Sequence, residues 1–276
     1  MALNLDAVGK TLGPALCEYN EDDVILYALG VGAQPGELDF LYEKNLKVLP
    51  TFAVVAAKSR DLDSGKLLNL DYTKVLHGEN RIEIYQPLSP RAKISATVTV
   101  KAIYDKGKGA VVVSEIEARD ESGDLVFKNI PTTFIRGEGG FGGDRGPTGA
   151  KNVPPDRAPD KVVSMKTQDN QAQIYRLSGD KNPLHVDPEF AKRSGFDRPI
   201  LHGLCTYGHC GRAVLQAYCD NDPGRLKAFE VRFSGVVYPG ETITTEMWKV
   251  DEKTIVFQAK TSESSVVISN AVAELA

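Results

Sequence analysis

The same order of local signals occurs twice along the 276 residues, and a duplication of this kind leaves few folds open. In the first half, Ile82-Glu83-Ile84-Tyr85 is followed by Pro90 and an alternating run over 94–100. In the second, Val231-Arg232-Phe233 is followed by Pro239 and a similar run over 243–248. Further strand-like runs close each half, 110–116 and 125–134 in one and 254–259 and 265–273 in the other. A helical segment precedes each set, 49–62 and 203–219. Alternation of period two marks half-buried antiparallel strands, so each half predicts a long helix packed on a sheet, an α+β unit. Either sheet alone would expose an apolar edge, so the two are expected to join edge to edge into one continuous sheet, each part wrapping a long central helix. The Gly- and Pro-rich stretch 137–160 reads as a linker between units 1–136 and 161–276.

The two copies differ at one place. Tyr175-Arg176-Leu177-Ser178-Gly179-Asp180-Lys181-Asn182-Pro183-Leu184-His185 puts a carboxylate, an amide and an imidazole just past a helix begun near Thr167. Gly179 suits the helix end, because glycine enters the left-handed region without cost. Asn182-Pro183 turns the chain, and Asp187-Pro188 reads as cap and first position of a helix running to about Gly195. The first half has Tyr27-Ala28-Leu29-Gly30-Val31-Gly32 in register, with neither Asp nor His. A purely structural loop would need similar turn residues in both copies, so the asymmetry points to one active site. Three of the four histidines, His185, His202 and His209, fall in this same region. Pro199-Ile200-Leu201-His202-Gly203-Leu204-Cys205-Thr206 opens the second long helix, and the backbone N–H groups of Gly203 and Leu204 at that helix start can stabilise a developing oxyanion. Turn and packing roles explain Asp180 or Gly203 taken singly, but not the whole cluster.

Composition limits the remaining possibilities. A hydrophobic fraction of 42% with 25% charged residues supplies two cores, and a net charge of −4 without a basic cluster argues against nucleic acid. Cys17, Cys205, Cys210 and Cys219 show no metal-like spacing and read as reduced packing residues. No apolar run reaches the ~20 residues of a membrane span. The expectation is an intracellular enzyme, and Ala273-Glu274-Leu275-Ala276 is not a Ser-Lys-Leu-type address.

Together these residues resemble the hydratase 2 family, the (R)-specific enoyl-CoA hydratases with a MaoC-like double hot-dog fold, known also as a domain of peroxisomal multifunctional enzymes of type 2. The motif is an aromatic residue, then Ser-Gly-Asp-x-Asn-Pro-Leu-His and a small residue, filled here by Tyr175, Ser178 to Asp180, Asn182 to His185 and Ala191. The likeness extends through 195–206, Tyr238-Pro239-Gly240-Glu241-Thr242, 27–33 and Leu76-His77-Gly78-Glu79. The resemblance implies reversible hydration of trans-2-enoyl-CoA to (3R)-3-hydroxyacyl-CoA, with Asp180 and His185 exchanging protons, Asn182 orienting water or the catalytic pair, and the Gly203 N–H at the thioester oxygen. Acyl-CoA contacts carry over to His77, Gly78, Lys106, the loop Asp180, Lys181, Asn182, Pro183, Leu184 and His185, and to Gly203 and Phe233. Tyr175, Asp187 and His202 are expected to support the loop. No metal or redox cofactor is implied, since coenzyme A arrives within the substrate. A homodimer is implied, peroxisomal in a eukaryote and cytoplasmic in a bacterium. A hot-dog thioesterase is the competing enzyme, disfavoured because 203–219 holds no Asp or Glu; a non-catalytic acyl-CoA-binding protein would not need the Asp/His pair. Gly30-Val31-Gly32-Ala33 and Gly36 are expected to leave a mobile, roomy loop for long acyl chains.

Overall fold

The computed structural model describes residues 2–149, 151–261 and 265–276. Among them are ten strands: β1 (Thr11–Tyr19), β2 (Val75–Ile84), β3 (Ala92–Asp105), β4 (Gly109–Arg119), β5 (Leu125–Arg136), β6 (Lys161–Lys166), β7 (Leu226–Phe233), β8 (Thr242–Lys249), β9 (Thr254–Lys260) and β10 (Val266–Leu275). They form one sheet in the order β1-β3-β4-β5-β2-β7-β10-β9-β8-β6, with all pairings antiparallel. Matching β6 through β10 to β1 through β5 makes the order identical from either edge, which is the duplication expressed in space.

The halves meet where β2 pairs with β7. Glu79 lies opposite Arg232 and Arg81 opposite Glu230, and both opposed pairs form ion pairs, at 2.6 and 3.4 Å. Cross-strand charges of opposite sign fix this register and exclude a slip by one residue. The continuous sheet expected from the duplication is therefore present. Its two leading strands, β1 and β6, escaped the pattern reading. Both are edge strands; β1 is interrupted by Gly13-Pro14, with a register shift between Leu12 and Ala15, and β6 exposes Val162.

The helices differ between halves. Gly203–Tyr218 is a continuous 16-residue helix, buried over most of Cys205 to Leu215. The expected counterpart over 49–62 is instead broken into a 3-10 turn Pro50–Phe52, one α-turn Ala53–Ala56 and a second 3-10 turn Arg60–Leu62. Side chains competing for the backbone account for the break. Ser59 accepts from the Asp61 N–H and Asp63 from the Gly65 N–H, interactions that favour turns over a continuing helix. The helix expected from Thr167 begins later, as Gln171–Tyr175, and tightens into a 3-10 turn Arg176–Ser178.

One hydrophobic core spans both halves, with Tyr27 and Phe52 from the first meeting Tyr175 and Tyr207 from the second. Polar contacts stitch the same boundary. The Gln171 amide donates to the Leu29 and Gly30 carbonyls at 3.0 and 2.7 Å, and buried Arg212 donates to the Val31 carbonyl at 3.1 Å and pairs with Glu37. These contacts overturn the expectation of a roomy loop at 30–33, which is buried, whereas Gly36 is exposed with open space beside it. A Cβ on Gly32, which has φ +82°, would lie 2.5 Å from His209 Nε2. Glycine here permits tight packing, not an opening. The described residues of 137–160 form neither helix nor strand.

Candidate active site

Gly179 ends the helix that carries Tyr175, with φ +137°, and a Cβ there would lie 2.8 Å from Lys58 Cε of the first half. The position therefore favours glycine for its conformation, since the Lys58 tip is exposed and can move aside. The chain then leaves the core, and Asp180 emerges exposed while Tyr175 stays buried. Asp180 Oδ1 accepts from the Asn182 N–H at 3.0 Å, and Asn182 Oδ1 accepts from the Leu184 N–H at 3.0 Å, capping the turn Pro183–His185. Asp187 caps the helix Pro188–Arg193 by accepting from the Glu189 and Phe190 N–H groups. That pair of caps fixes the loop on either side of His185.

His185 is buried, and its Nδ1 lies 2.8 Å from the Ile200 carbonyl. A carbonyl can only accept, so Nδ1 carries the hydrogen and Nε2 keeps its lone pair in the neutral ring. Burial pushes the His185 pKa below its usual 6.5, opposed by the Ile200 carbonyl and the charge of Asp180. His202 stacks on it, centroids 3.7 Å apart at 27°, and places Nε2 3.3 Å from the Asp180 carbonyl. Burial first, then the neighbouring His185, pushes His202 down to about 4. Two stacked neutral rings thus hold the loop carrying Asp180.

Asp180, His185 and His202 bring one potential ligand atom each within 4.8 Å. In-plane lone pairs of stacked imidazoles do not converge on one point, so the set suits proton exchange better than chelation. His202 also occupies the cap position of the long helix, and the Gly203 and Leu204 N–H groups behind it find no acceptor among the described residues. A Cβ on Gly203 would lie 3.2 Å from Phe233 Cδ1, so glycine keeps the ring close to that N–H.

Asp180, Asn182, Leu184, His185 and Gly203 line one cavity of about 470 Å³, together with His77, Thr133 and Phe233. His77 reaches it from β2, where a register shift against β5 falls between His77 and Glu79, and its ring lies 5.3 Å from that of Phe233. His77 is exposed to solvent, yet the protein atoms packed near its ring lower its pKa, with the charge of Asp180 opposing. Lys106 and Gly78 lie instead in a neighbouring cavity of about 600 Å³, which shares Thr133 and Phe233 with the first. Lys181 and Pro183 are exposed and line neither cavity. Two parts of the site escaped sequence reading, the Ile200 carbonyl that sets the His185 tautomer and Thr133 on β5. Neither side-chain type nor spacing marks them.

Comparison with known proteins agrees with this geometry. Residues 150–272 match the MaoC like domain and residues 17–137 the MFE-2 hydratase 2 N-terminal domain. The chain is 46% identical over 271 residues to the "Probable enoyl-CoA hydratase 2" of Dictyostelium discoideum, covering 93% of this chain and 91% of that one. The chain belongs to the enoyl-CoA hydratase 2 family. It is 44% identical to the "Peroxisomal multifunctional enzyme type 2" of Mus musculus over 98% of its own length, spanning 38% of that longer protein. Among solved structures it is similar to the MaoC-like dehydratase from Phytophthora Capsici, with a TM-score of 0.90 at 34% identity, covering 99% of this chain and 98% of that one. The paired sheets and the long central helix are the family's double hot-dog arrangement.

Proposed function

We propose that this chain adds water reversibly across the double bond of trans-2-enoyl-CoA to give (3R)-3-hydroxyacyl-CoA, as a hydro-lyase of acyl-CoA metabolism. The observation that carries the reading is the convergence, on one cavity, of a bare imidazole nitrogen, a carboxylate and a helix N-terminus with unpaired N–H groups. The thioester oxygen lies at the Gly203 N–H, where charge develops as C3 is attacked. Water gives its proton to His185 Nε2 while its oxygen bonds to C3, and the C2–C3 π electrons move into the enolate. The imidazolium then returns the proton to C2, so atoms balance and no electrons are exchanged with a redox partner. Asp180 orients the water and offsets the imidazolium charge, consistent with its upward pull on the His185 pKa. Asn182, its Oδ1 engaged by Leu184, turns its amide N–H groups toward water.

Coenzyme A enters only as part of the substrate, and the steps above need neither metal nor redox group. Among the described residues no helix is long and apolar enough to cross a membrane. A peroxisomal setting in a eukaryote, or a cytoplasmic one in a bacterium, completes the reading, supported by the name of the mouse relative. Two chains pair as a homodimer, for which exposed Leu16 on edge strand β1 offers apolar surface. Mixing the protein with crotonyl-CoA and with a longer trans-2-enoyl-CoA should lower the conjugated thioester absorbance toward an equilibrium value; stable absorbance with both would refute hydration.

A further inference from the structure

The long helix Gly203–Tyr218 meets the catalytic cavity through Gly203, Leu204 and Thr206. The other polar side chains of its first two turns face elsewhere and have partners. Cys205 Sγ donates to the Gly30 carbonyl at 3.2 Å, Tyr207 Oη donates to the Phe229 carbonyl at 3.0 Å, and His209 Nδ1 lies 2.9 Å from the Cys205 carbonyl. Thr206 is the exception: it is buried, yet its hydroxyl makes no hydrogen bond among the described residues. A threonine hydroxyl inside a helix ordinarily returns to the carbonyl four residues back. Here that carbonyl belongs to His202 and already accepts the Cys205 and Thr206 N–H groups, at 3.0 and 3.2 Å. Burying a hydroxyl without a partner is unfavourable, so this one calls for a partner that arrives through the cavity.

Helix geometry gives the side chain its direction. Cα–Cβ bonds tilt toward the helix N-terminus, and a residue three positions on stands over the same face, about 4.5 Å along the axis. Thr206 therefore leans back over Gly203, which has no side chain to block it. Phe233 closes the space from the other side, since a Cβ on Gly203 would lie 3.2 Å from its ring. The space beside the Gly203 N–H is thus bounded by an aromatic ring and a free hydroxyl.

We propose that the Thr206 hydroxyl is a further donor to the thioester oxygen of the substrate, acting beside the Gly203 N–H. This rests on reading Gly203 as the place of that oxygen. As water attacks C3, the C2–C3 π electrons move into the enolate and negative charge grows on the oxygen. The hydrogen bond from Thr206 strengthens with that charge, and the hydroxyl keeps its proton throughout. A donor whose bond tightens only as the enolate forms acts on kcat, not on KM.

Variants of the full chain test it. Thr206→Val keeps the shape and removes the hydroxyl, Thr206→Ala removes hydroxyl and methyl together, and Thr206→Ser keeps the hydroxyl. With crotonyl-CoA, Thr206→Val and Thr206→Ala should each lose about 10²-fold in kcat with KM little changed, the scale of one lost oxyanion donor, while Thr206→Ser stays near the parent. Unchanged kcat in either hydroxyl-free variant overturns the assignment. So does an equal loss in Thr206→Ser, because the methyl would then be what matters. Butyryl-CoA labelled with carbon-13 at the thioester carbonyl has no double bond to hydrate, so its infrared carbonyl stretch reads the hydrogen bond apart from turnover. The stretch should fall in frequency on binding to the parent and to Thr206→Ser, and fall less with Thr206→Val; an equal fall in all three overturns the proposal. The expected shifts in a protein that hydrates nothing would strike the hydratase reading and leave this donor standing.

Discussion

The loop that follows Tyr175 and the loop that follows Tyr27 occupy matching places in the two halves, yet one leaves the core and the other fills it. After Tyr175 the chain turns at Gly179 and delivers Asp180 to a cavity. After Tyr27 the helix continues to Gly30, and 30–33 packs against the long helix of the other half. The helix starts differ in the same sense. Gly203 presents an N–H that is unpaired among the described residues, whereas the first position of the front counterpart is Pro50, which has no N–H to offer. The first half therefore lacks the acid, the base and the oxyanion donor together. What it gained is packing: Val31 fits where Gly208 has no side chain, and Thr51 where Gly211 has none.

The largest expected effect breaks the catalytic side of this comparison. Asp180→Asn and His185→Gln should each lower hydration by at least ~10²-fold while the protein stays folded, the usual scale for a lost acid or base. Near-normal turnover in either folded variant would remove that residue from the chemistry. The packed side is tested by Gly32→Ala, which forces a Cβ at positive φ into His209 and should cost about 1–3 kcal/mol in chemical denaturation. His209→Ala in the same chain should restore part of that loss. An unshifted midpoint for Gly32→Ala would mean the loop is loose after all.

Gly203→Ala keeps the N–H but pushes on Phe233, and we expect kcat/KM to fall about tenfold, near 1.4 kcal/mol, with stability little changed. Full activity would place the thioester oxygen elsewhere. Acidification sharpens the comparison most gently near neutrality. His202 and His209 are both pushed down to about 4 by burial, and His185 is lowered too. Between the unfolded value of 6.5 and those folded values the unfolded chain binds more protons, so this stabilisation is complete above 6.5 and is lost as pH falls toward 4. Denaturation midpoints followed from pH 8 to 5 should be flat and then decline; a rise on acidification would contradict neutral buried rings.

Much of this was legible in the sequence for physical reasons. Strands with one buried face alternate, so the duplication and the joined sheet could be read from periods and breakers. Asp180, Asn182 and His185 sit on one turn, so spacing alone brought them together. Pro50 and the Ser59 to Ser64 region, where the first long helix fails, were misread because an apolar run hides the side chains that compete for its backbone. The glycines at 30 and 32 were misread as freedom, since a glycine that ends a helix and one that admits a neighbouring ring look alike until the neighbour is known. The Ile200 carbonyl carries no sequence signal, because every residue has one.

The most direct measurement is the configuration at C3 of the product formed from trans-2-decenoyl-CoA, resolved by chiral chromatography. One acid/base pair on one face, with the thioester oxygen fixed at Gly203, predicts a single enantiomer, and membership of the enoyl-CoA hydratase 2 family makes it the (3R) alcohol. A racemate would contradict the account, because water would then be reaching C3 from both faces, and a (3S) product would contradict the (R)-specific reading.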